Sequence, residues 1–173
     1  TRRFDRGPGR LHLQSLAALL HLDFNLPGAN SYEQALLCIR DLGLPHRSGE
    51  AQVRRCLFNL VARNQDDHVK NIAFLMDRRG RWRLAPAFDV TWSYNPTGAW
   101  TSRHQMSVAG KRDGFTRADL EALGRTASLK RGRVGAILGE VLDAVRAWPD
   151  FAAAAGVQPE RIDAIAASHR LRW

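Results

Sequence analysis

Residues 50 to 63 carry apolar side chains at Val53, Cys56, Leu57, Leu60 and Val61, that is at i, i+3, i+4, i+7 and i+8. This spacing lays a single apolar stripe along one face of a helix. The stripe runs without a break into NQDDHVKN at 64–71, and Ile72 to Met76 is apolar again. A chain so patterned has to bury a helix and a following strand in a common core. At the corner between them it must hold two acids, a histidine, a lysine and flanking asparagines. Beyond the corner, DRRG at 77–80 reads as a turn and Trp82 to Leu84 resumes an alternating pattern, so a hairpin follows.

The remaining signals are mostly helical. LHLQSLAALL (11–20) has the composition of a short helix, which FNLPGANSY breaks at Pro27 and Gly28. Ser31 is a helix cap, with Gln34 three residues on as in a capping box, and Gly43 ends the stripe of Ala35, Leu36, Ile39 and Leu42. Pro45 to Gly49 reads as a loop. Thr91 to Phe115, rich in Gly, Pro, Ser, Thr and Asn, reads as one long loop, a length usually functional or disordered. Thr116 caps a helix bearing Leu120, Leu123 and Ala127. Val134, Ile137, Leu138, Val141, Leu142 and Val145 mark another helix that stops near Pro149. Pro159 to Ser168 forms the last, with Pro159 near its first turn. The expected fold is mainly α, α+β overall, in a single domain over 1–173, with a small β-hairpin after the polar corner.

A length of 173 residues suffices for a sizeable core, since about 150 residues hide roughly 70% of their unfolded surface. No apolar run approaches the roughly 18 residues of a membrane span. The opening TRRFDRGPGR lacks a Met and reads as the interior of a longer protein. The net charge of +9 suits a polyanionic partner. The basic residues are nevertheless spread out, with small clusters at Arg2, Arg3, Arg6 and Arg10 and at Arg125, Lys130, Arg131 and Arg133, which reads as a solvated basic surface. Cys38 and Cys56 fall within helical patterns, as buried thiols in a reducing compartment do. The tryptophans are not interleaved with a basic run, so packing is favoured over stacking on bases. His12, His21, His46 and His169 show no metal-ligand spacing.

NQDDHVKN admits three readings. It can be a solvated turn, with Asp66 and Asn71 bonding backbone amides. It can be a metallohydrolase site on Asp66, Asp67 and His68, with Asp89 or His104 completing the ligand set. It can also serve phosphoryl transfer. That chemistry needs an acid to orient the attacking hydroxyl, an Asn five residues later for magnesium, and a second acid beyond a hairpin. Asp66, Asn71 and Asp89 meet that order, and Lys70 offers a cation beside the transferring phosphate. His68 follows the acid by two places, whereas the histidine precedes it in ordinary protein kinases.

The segments RRFDR (2–6), NQDDHVKN (64–71) and LAPAFDV (84–90), with SYEQALL and WPDFAAAAGV, resemble the HipA family of bacterial toxin kinases, in the same order and over nearly the whole chain. The resemblance implies an ATP- and Mg2+-dependent serine/threonine kinase with a protein-kinase-like fold, acting in the bacterial cytoplasm. It also implies a DNA-binding antitoxin like HipB as partner, with DNA reached only through it, and a protein substrate among translation components. Carried over residue by residue, Asp66 is the catalytic base, and Asn71 and Asp89 are magnesium ligands; His68 and Lys70 are counted with Asp66 in the catalytic group. Arg2, Arg3 and Phe4 resemble the hinge whose backbone meets adenine, with Asp5 a neighbouring nucleotide contact. His68 and Phe88 resemble residues lining the nucleotide pocket. Asp67 falls at a variable position of the motif, and Arg2 stands where the family commonly has an acid.

The glycine-rich phosphate loop and strand lysine of an amino-terminal lobe have no counterpart here. Gly7-Pro8-Gly9 is too short, and it follows the hinge motif instead of preceding it. The chain therefore reads as a carboxy-terminal kinase lobe with residues 1–10 as a hinge remnant, inactive alone. Two other classes stay open at this point: a non-catalytic basic helical module that docks an antitoxin or DNA, and a metal-dependent hydrolase.

Overall fold

The computed structural model describes residues 3–6 and 10–173. At the polar corner, β2 (Ala73–Met76) and β3 (Trp82–Leu84) pair antiparallel, with Phe74 opposite Leu84 and Met76 opposite Trp82. Their turn is closed by the Asp77 carboxylate, which accepts from the amides of Arg79 and Arg81 at 2.8 and 3.0 Å. Gly80 supplies the φ of 75° that a side chain would resist there.

A third strand was not expected. β1 (His12–Ser15) pairs antiparallel with β2, His12 opposite Met76 and Ser15 opposite Ala73. The helix expected over Leu11–Leu20 shrinks to α1 (Leu16–Leu20), capped by Ser15 Oγ accepting from the Ala18 amide at 3.2 Å. Its first half alternates in polarity, and the open edge of β2 offers it unpaired backbone groups, so pairing wins over winding.

The helices follow the stripes closely. α2 (Tyr32–Asp41) begins with a full capping box, Ser31 Oγ accepting from Gln34 N at 3.2 Å and Gln34 Oε1 accepting from Ser31 N at 2.7 Å. α3 (His46–Ala62) starts inside the segment expected as a loop, directly after Pro45. Gly49 is a poor helix former, but His46 Nε2 lies 3.1 Å from the distant Ser128 carbonyl oxygen, a tertiary contact that rewards the extra turn. Val53, Cys56, Leu57, Leu60 and Val61 are all fully buried. α4 (Arg117–Thr126), α5 (Arg133–Arg146), α6 (Trp148–Ala154) and α7 (Pro159–Ser168) complete the described elements, with α3 packed on α5 at the centre. Pro149 sits in the first turn of α6, where its missing N–H breaks no helical bond. Gly124 lets α4 meet α5, since a Cβ there would come within 2.2 Å of Val134 Cγ2. At the start of α4, the Lys111 ammonium and the Thr116 hydroxyl and amide pull the Asp119 carboxyl down to about 2.

Seven helices and a small three-stranded sheet make the fold α+β among the described residues. Cys38 and Cys56 are buried free thiols, and burial pushes both upward in pKa. Among the described residues, no helix is long and apolar enough to cross a membrane.

Residues 91–115 contain no helix or strand, as expected, but they are not a free loop. His104 to Val108 are buried, and the carboxylate of Asp67 holds them in place. Asp67 Oδ2 accepts from the Tyr32 hydroxyl at 2.7 Å and His104 Nδ1 at 2.8 Å, and Oδ1 accepts from the Gln105 amide at 2.8 Å. Arg170 Nη1 lies 2.9 Å from His104 Nε2 and can only donate, so the ring accepts there and donates from Nδ1 to Asp67. Burial opposes ionisation of Asp67, but His104, Tyr32 and the Gln105 amide outweigh it and hold its carboxyl below the usual range.

Replacing Asp67 with Ala should destabilise the fold by about 3–5 kcal/mol, because several buried partners lose their acceptor. Urea unfolding measures it. The folded-state carboxyl lies below its ordinary value, so its contribution is complete above about pH 4 and is lost as the pH falls through the folded pKa. The loss of stability on acidification should accordingly be shallower in Asp67→Ala than in the wild type.

Candidate functional site

The corner between α3 and β2 is built from backbone ties and amide side chains. Arg63 ends α3 in the left-handed region at φ 57° and redirects the chain. The Asn64 side chain donates to Asn59 Oδ1 at 3.0 Å, and Asn59 in turn donates to the Tyr32 hydroxyl at 2.9 Å. The Gln65 amide donates to the Ser93 carbonyl at 3.1 Å, and the Ser93 amide to the Arg63 carbonyl at 3.0 Å, which brings the segment after Asp89 against the corner. On the far side, the Ala17 amide donates to the Val69 carbonyl at 3.2 Å and the Leu16 amide to the Ile72 carbonyl at 2.7 Å.

Within this frame the two acids differ sharply. Asp67 points inward with no exposed side-chain surface, whereas the Asp66 side chain is 48% exposed. Asp66 Oδ1 stands 3.9 Å from His68 Nε2. Asn71 Nδ2 donates to the Asp66 backbone carbonyl at 3.1 Å, which leaves the amide oxygen of Asn71 available as an acceptor. After β3, the Ala85 amide returns to the Ala73 carbonyl at 2.9 Å, and Arg55 Nη2 donates to the Ala85 carbonyl at 2.7 Å. This sets the direction of Phe88 and Asp89. Asp89 is exposed and adopts φ 53°, a left-handed conformation that Asp tolerates better than most side chains.

His68, Asn71, Phe88 and Asp89 all line one cavity of about 390 Å³, closed behind by α3. Asp66 is not among the lining residues and joins the group through its carbonyl bond to Asn71. Beside the cavity, Phe4, Leu11 and Phe88 pack on Ala73, Leu75 and Ala85, with the Phe4 and Phe88 rings 5.7 Å apart. This apolar platform lies on the face of the sheet opposite Phe74. Asp5 is clasped by Arg3 through bonds of 2.8 and 2.5 Å, and the Arg3 guanidinium holds its carboxyl below the usual range. Arg2 and Gly7 to Gly9 lie outside the described residues.

Lys70 does not line the cavity. Its ammonium rests over the Phe24 ring, 3.9 Å from the centroid. His104 is engaged by Asp67 and Arg170 instead of a metal. Among the described residues, no group of three or more His, Cys, Asp or Glu gathers as a metal centre. The pair Asn71 and Asp89 does suit Mg2+, because that ion takes a few hard oxygen donors and keeps water or phosphate for the rest.

Tyr32, Gln52, Arg55 and Asn59 also line the cavity and were not singled out from sequence. A signal existed for three of them. Gln52, Arg55 and Asn59 recur at i, i+3 and i+7, a polar row beside the apolar stripe of α3.

A family model for the HipA-like C-terminal domain matches residues 1–149. No curated protein sequence matches the chain. Among solved structures, the HipA protein of Shewanella oneidensis MR-1, in complex with HipB and its operator DNA, superposes with a TM-score of 0.72 at 19% identity. The match covers 95% of this chain and 44% of that one, so the chain spans less than half the length of this relative. At that identity the likeness speaks for the fold.

Replacing Asn71 with Ala removes the tie to the Asp66 carbonyl. The expected result is about 1 kcal/mol of lost stability and faster amide exchange over residues 66–71. Unchanged exchange there would show that the tie does not hold the loop.

Proposed function

Since the chain belongs to the family of HipA-like C-terminal domains, we propose that it forms the carboxy-terminal lobe of a toxin serine/threonine kinase, one that moves the γ-phosphoryl group of ATP to a protein hydroxyl with Mg2+. The observation that carries this reading is the convergence of Asn71 and Asp89, eighteen positions apart, on one cavity, with Asp66 bound to Asn71. Asp66 is half-exposed and, among the described residues, meets only His68 at 3.9 Å, which leaves its carboxylate open to an incoming hydroxyl. It takes the proton of that hydroxyl as the oxygen attacks phosphorus and the bridging P–O bond breaks. Asn71 Oδ1 and the Asp89 carboxylate would hold the metal. When bound, Mg2+ neutralises charge on the transferring group.

The apolar platform of Phe4, Phe88, Ala73 and Leu75 offers a floor for the adenine ring. Asp5 can contact the nucleotide only by sharing its carboxylate with Arg3. Lys70 would have to leave Phe24 to reach a phosphate, a swing its long side chain permits. The parent protein would pair with an antitoxin like HipB in the bacterial cytoplasm, with DNA reached through that partner and a protein as phosphate acceptor.

Two measurements test this. In the full-length protein, Asp66→Asn should lower phosphoryl transfer from labelled ATP by roughly 10²–10⁴ while Mg2+-dependent nucleotide binding persists. Near-normal turnover removes Asp66 from the role of base. Asp89→Ala should weaken nucleotide binding measured with Mg2+ and leave binding measured without it little changed. A basic module that merely docks DNA would ignore Asp89→Ala and lose affinity as salt rises. The 173-residue chain by itself should transfer no phosphate, because it spans less than half the length of the HipA protein on which it superposes.

A further inference from the structure

Phe24 stands beside the corner loop, outside the lining of the cavity that Asn71 and Asp89 share, and the phosphoryl chemistry makes no use of it. Its ring is 6.1 Å from that of His68, whose Nε2 lies 3.9 Å from Asp66 Oδ1. Phe24 is 38% exposed, and Leu26, two positions on in the same loop, is 55% exposed. Single apolar side chains at a surface are ordinary. Two of them in one short loop, one packed against the neighbour of the proposed base, form a surface that an incoming chain must meet.

The loop that carries Phe24 is held on the same frame as the corner. The Leu22 amide donates to the Ala17 carbonyl at 2.9 Å, the Asn30 side chain to the Asp23 carbonyl at 3.0 Å, and the Gly28 amide to the Gln105 carbonyl at 2.8 Å. Gln105 in turn donates its own amide to Asp67, the residue after Asp66. Phe24 therefore keeps a set place relative to Asp66, and apolar surface and base are presented together. An acceptor hydroxyl has to reach Asp66 from solvent, where 48% of that side chain lies. Along an extended segment each residue advances about 3.3 Å, so side chains within two positions of the hydroxyl sweep the ground of His68 and Phe24. A leucine or aromatic side chain there covers apolar surface that water now touches. The swing proposed for Lys70 also uncovers the ring face on which its ammonium rests, 3.9 Å from the centroid.

We infer that Phe24, with Leu26 in the same loop, is the dock for the phosphate acceptor. It selects a protein segment in which a leucine-like or aromatic side chain lies within two positions of the receiving serine or threonine. This inference rests on the kinase reading of the corner and names the substrate class that the corner takes.

The test is transfer from labelled ATP by the full-length protein with Mg2+, on peptide pools that carry one central serine and one fixed residue at each flanking position in turn. Pools with leucine or phenylalanine fixed within two positions of the serine should react about tenfold faster than alanine pools, at peptide concentrations below KM. Phe24→Ala should bring that ratio close to one through a higher peptide KM. Phe24→Leu, which keeps an apolar contact, should retain most of it. A merely structural role for Phe24 would slow every pool alike and leave the ratio intact, and that result overturns the inference. So does equal reaction of leucine and alanine pools in the unaltered protein, or a preference for aspartate or lysine over leucine. In each of these cases transfer itself persists, so the kinase reading stands and only the dock is lost. No transfer to any pool also removes the dock. Mg2+-dependent nucleotide binding, and its response to Asp89→Ala, then shows separately whether the kinase reading falls with it.

Discussion

A single buried carboxylate organises this molecule. Asp67 lies at the centre of a polar chain that runs from Asn64 and Asn59 through Tyr32 to Asp67, His104, Arg170 and Asp113. These residues come from α2, α3, the corner loop, the long loop and the C-terminal tail. A charge removed from water has to be fully partnered, or the cost of burying it exceeds what packing returns. That requirement gives one geometry to five segments that hydrophobic burial alone would leave free to slide.

The consequence reaches the exposed acid next door. Asp66 lies four positions past the end of α3, and its direction is set because Asp67 on one side is anchored inward and Asn71 on the other bonds its carbonyl. The corner separates its work between neighbours, one carboxylate holding the loop and the other facing solvent. The same division appears beyond the hairpin. Ala85 is tied to Ala73 and Arg55, so the left-handed Asp89 rests on a rigid support. The fold thereby places the Asn71 and Asp89 side chains on one cavity, which in the proposed reading leaves little ordering for metal binding.

The net charge of +9 looks different once the pairs are known. Arg54, Arg133, Glu50 and Glu140 form a network between α3 and α5, and Arg170 is engaged by Asp113 and His104. Other cations rest on rings, as Arg63 does on Tyr94 and Arg161 on Trp92. Part of the basic character thus serves internal cohesion.

Local rules made some of this legible in the residues alone. The α3 stripe, the capping box of Ser31 and Gln34, the DRRG turn and the span of α7 each depend on neighbours within a few positions, and there the expectation and the structure agree. The order Asp66, Asn71, Asp89 is a property of the chain, and the structure adds that Asn71 and Asp89 line one cavity while Asp66 stands outside its lining. The strand at His12–Ser15, the earlier start of α3 at His46, the burial of His104 to Val108 and the inward turn of Asp67 were not readable. Each depends on a partner tens of residues away: the open edge of β2, the Ser128 carbonyl beside His46, and the hydroxyl, ring and amide around one carboxylate. Sequence sets what a segment prefers when it stands alone. Only the assembled core supplies the distant hydrogen-bond partner that lets an acid be buried or a helical stretch become a strand.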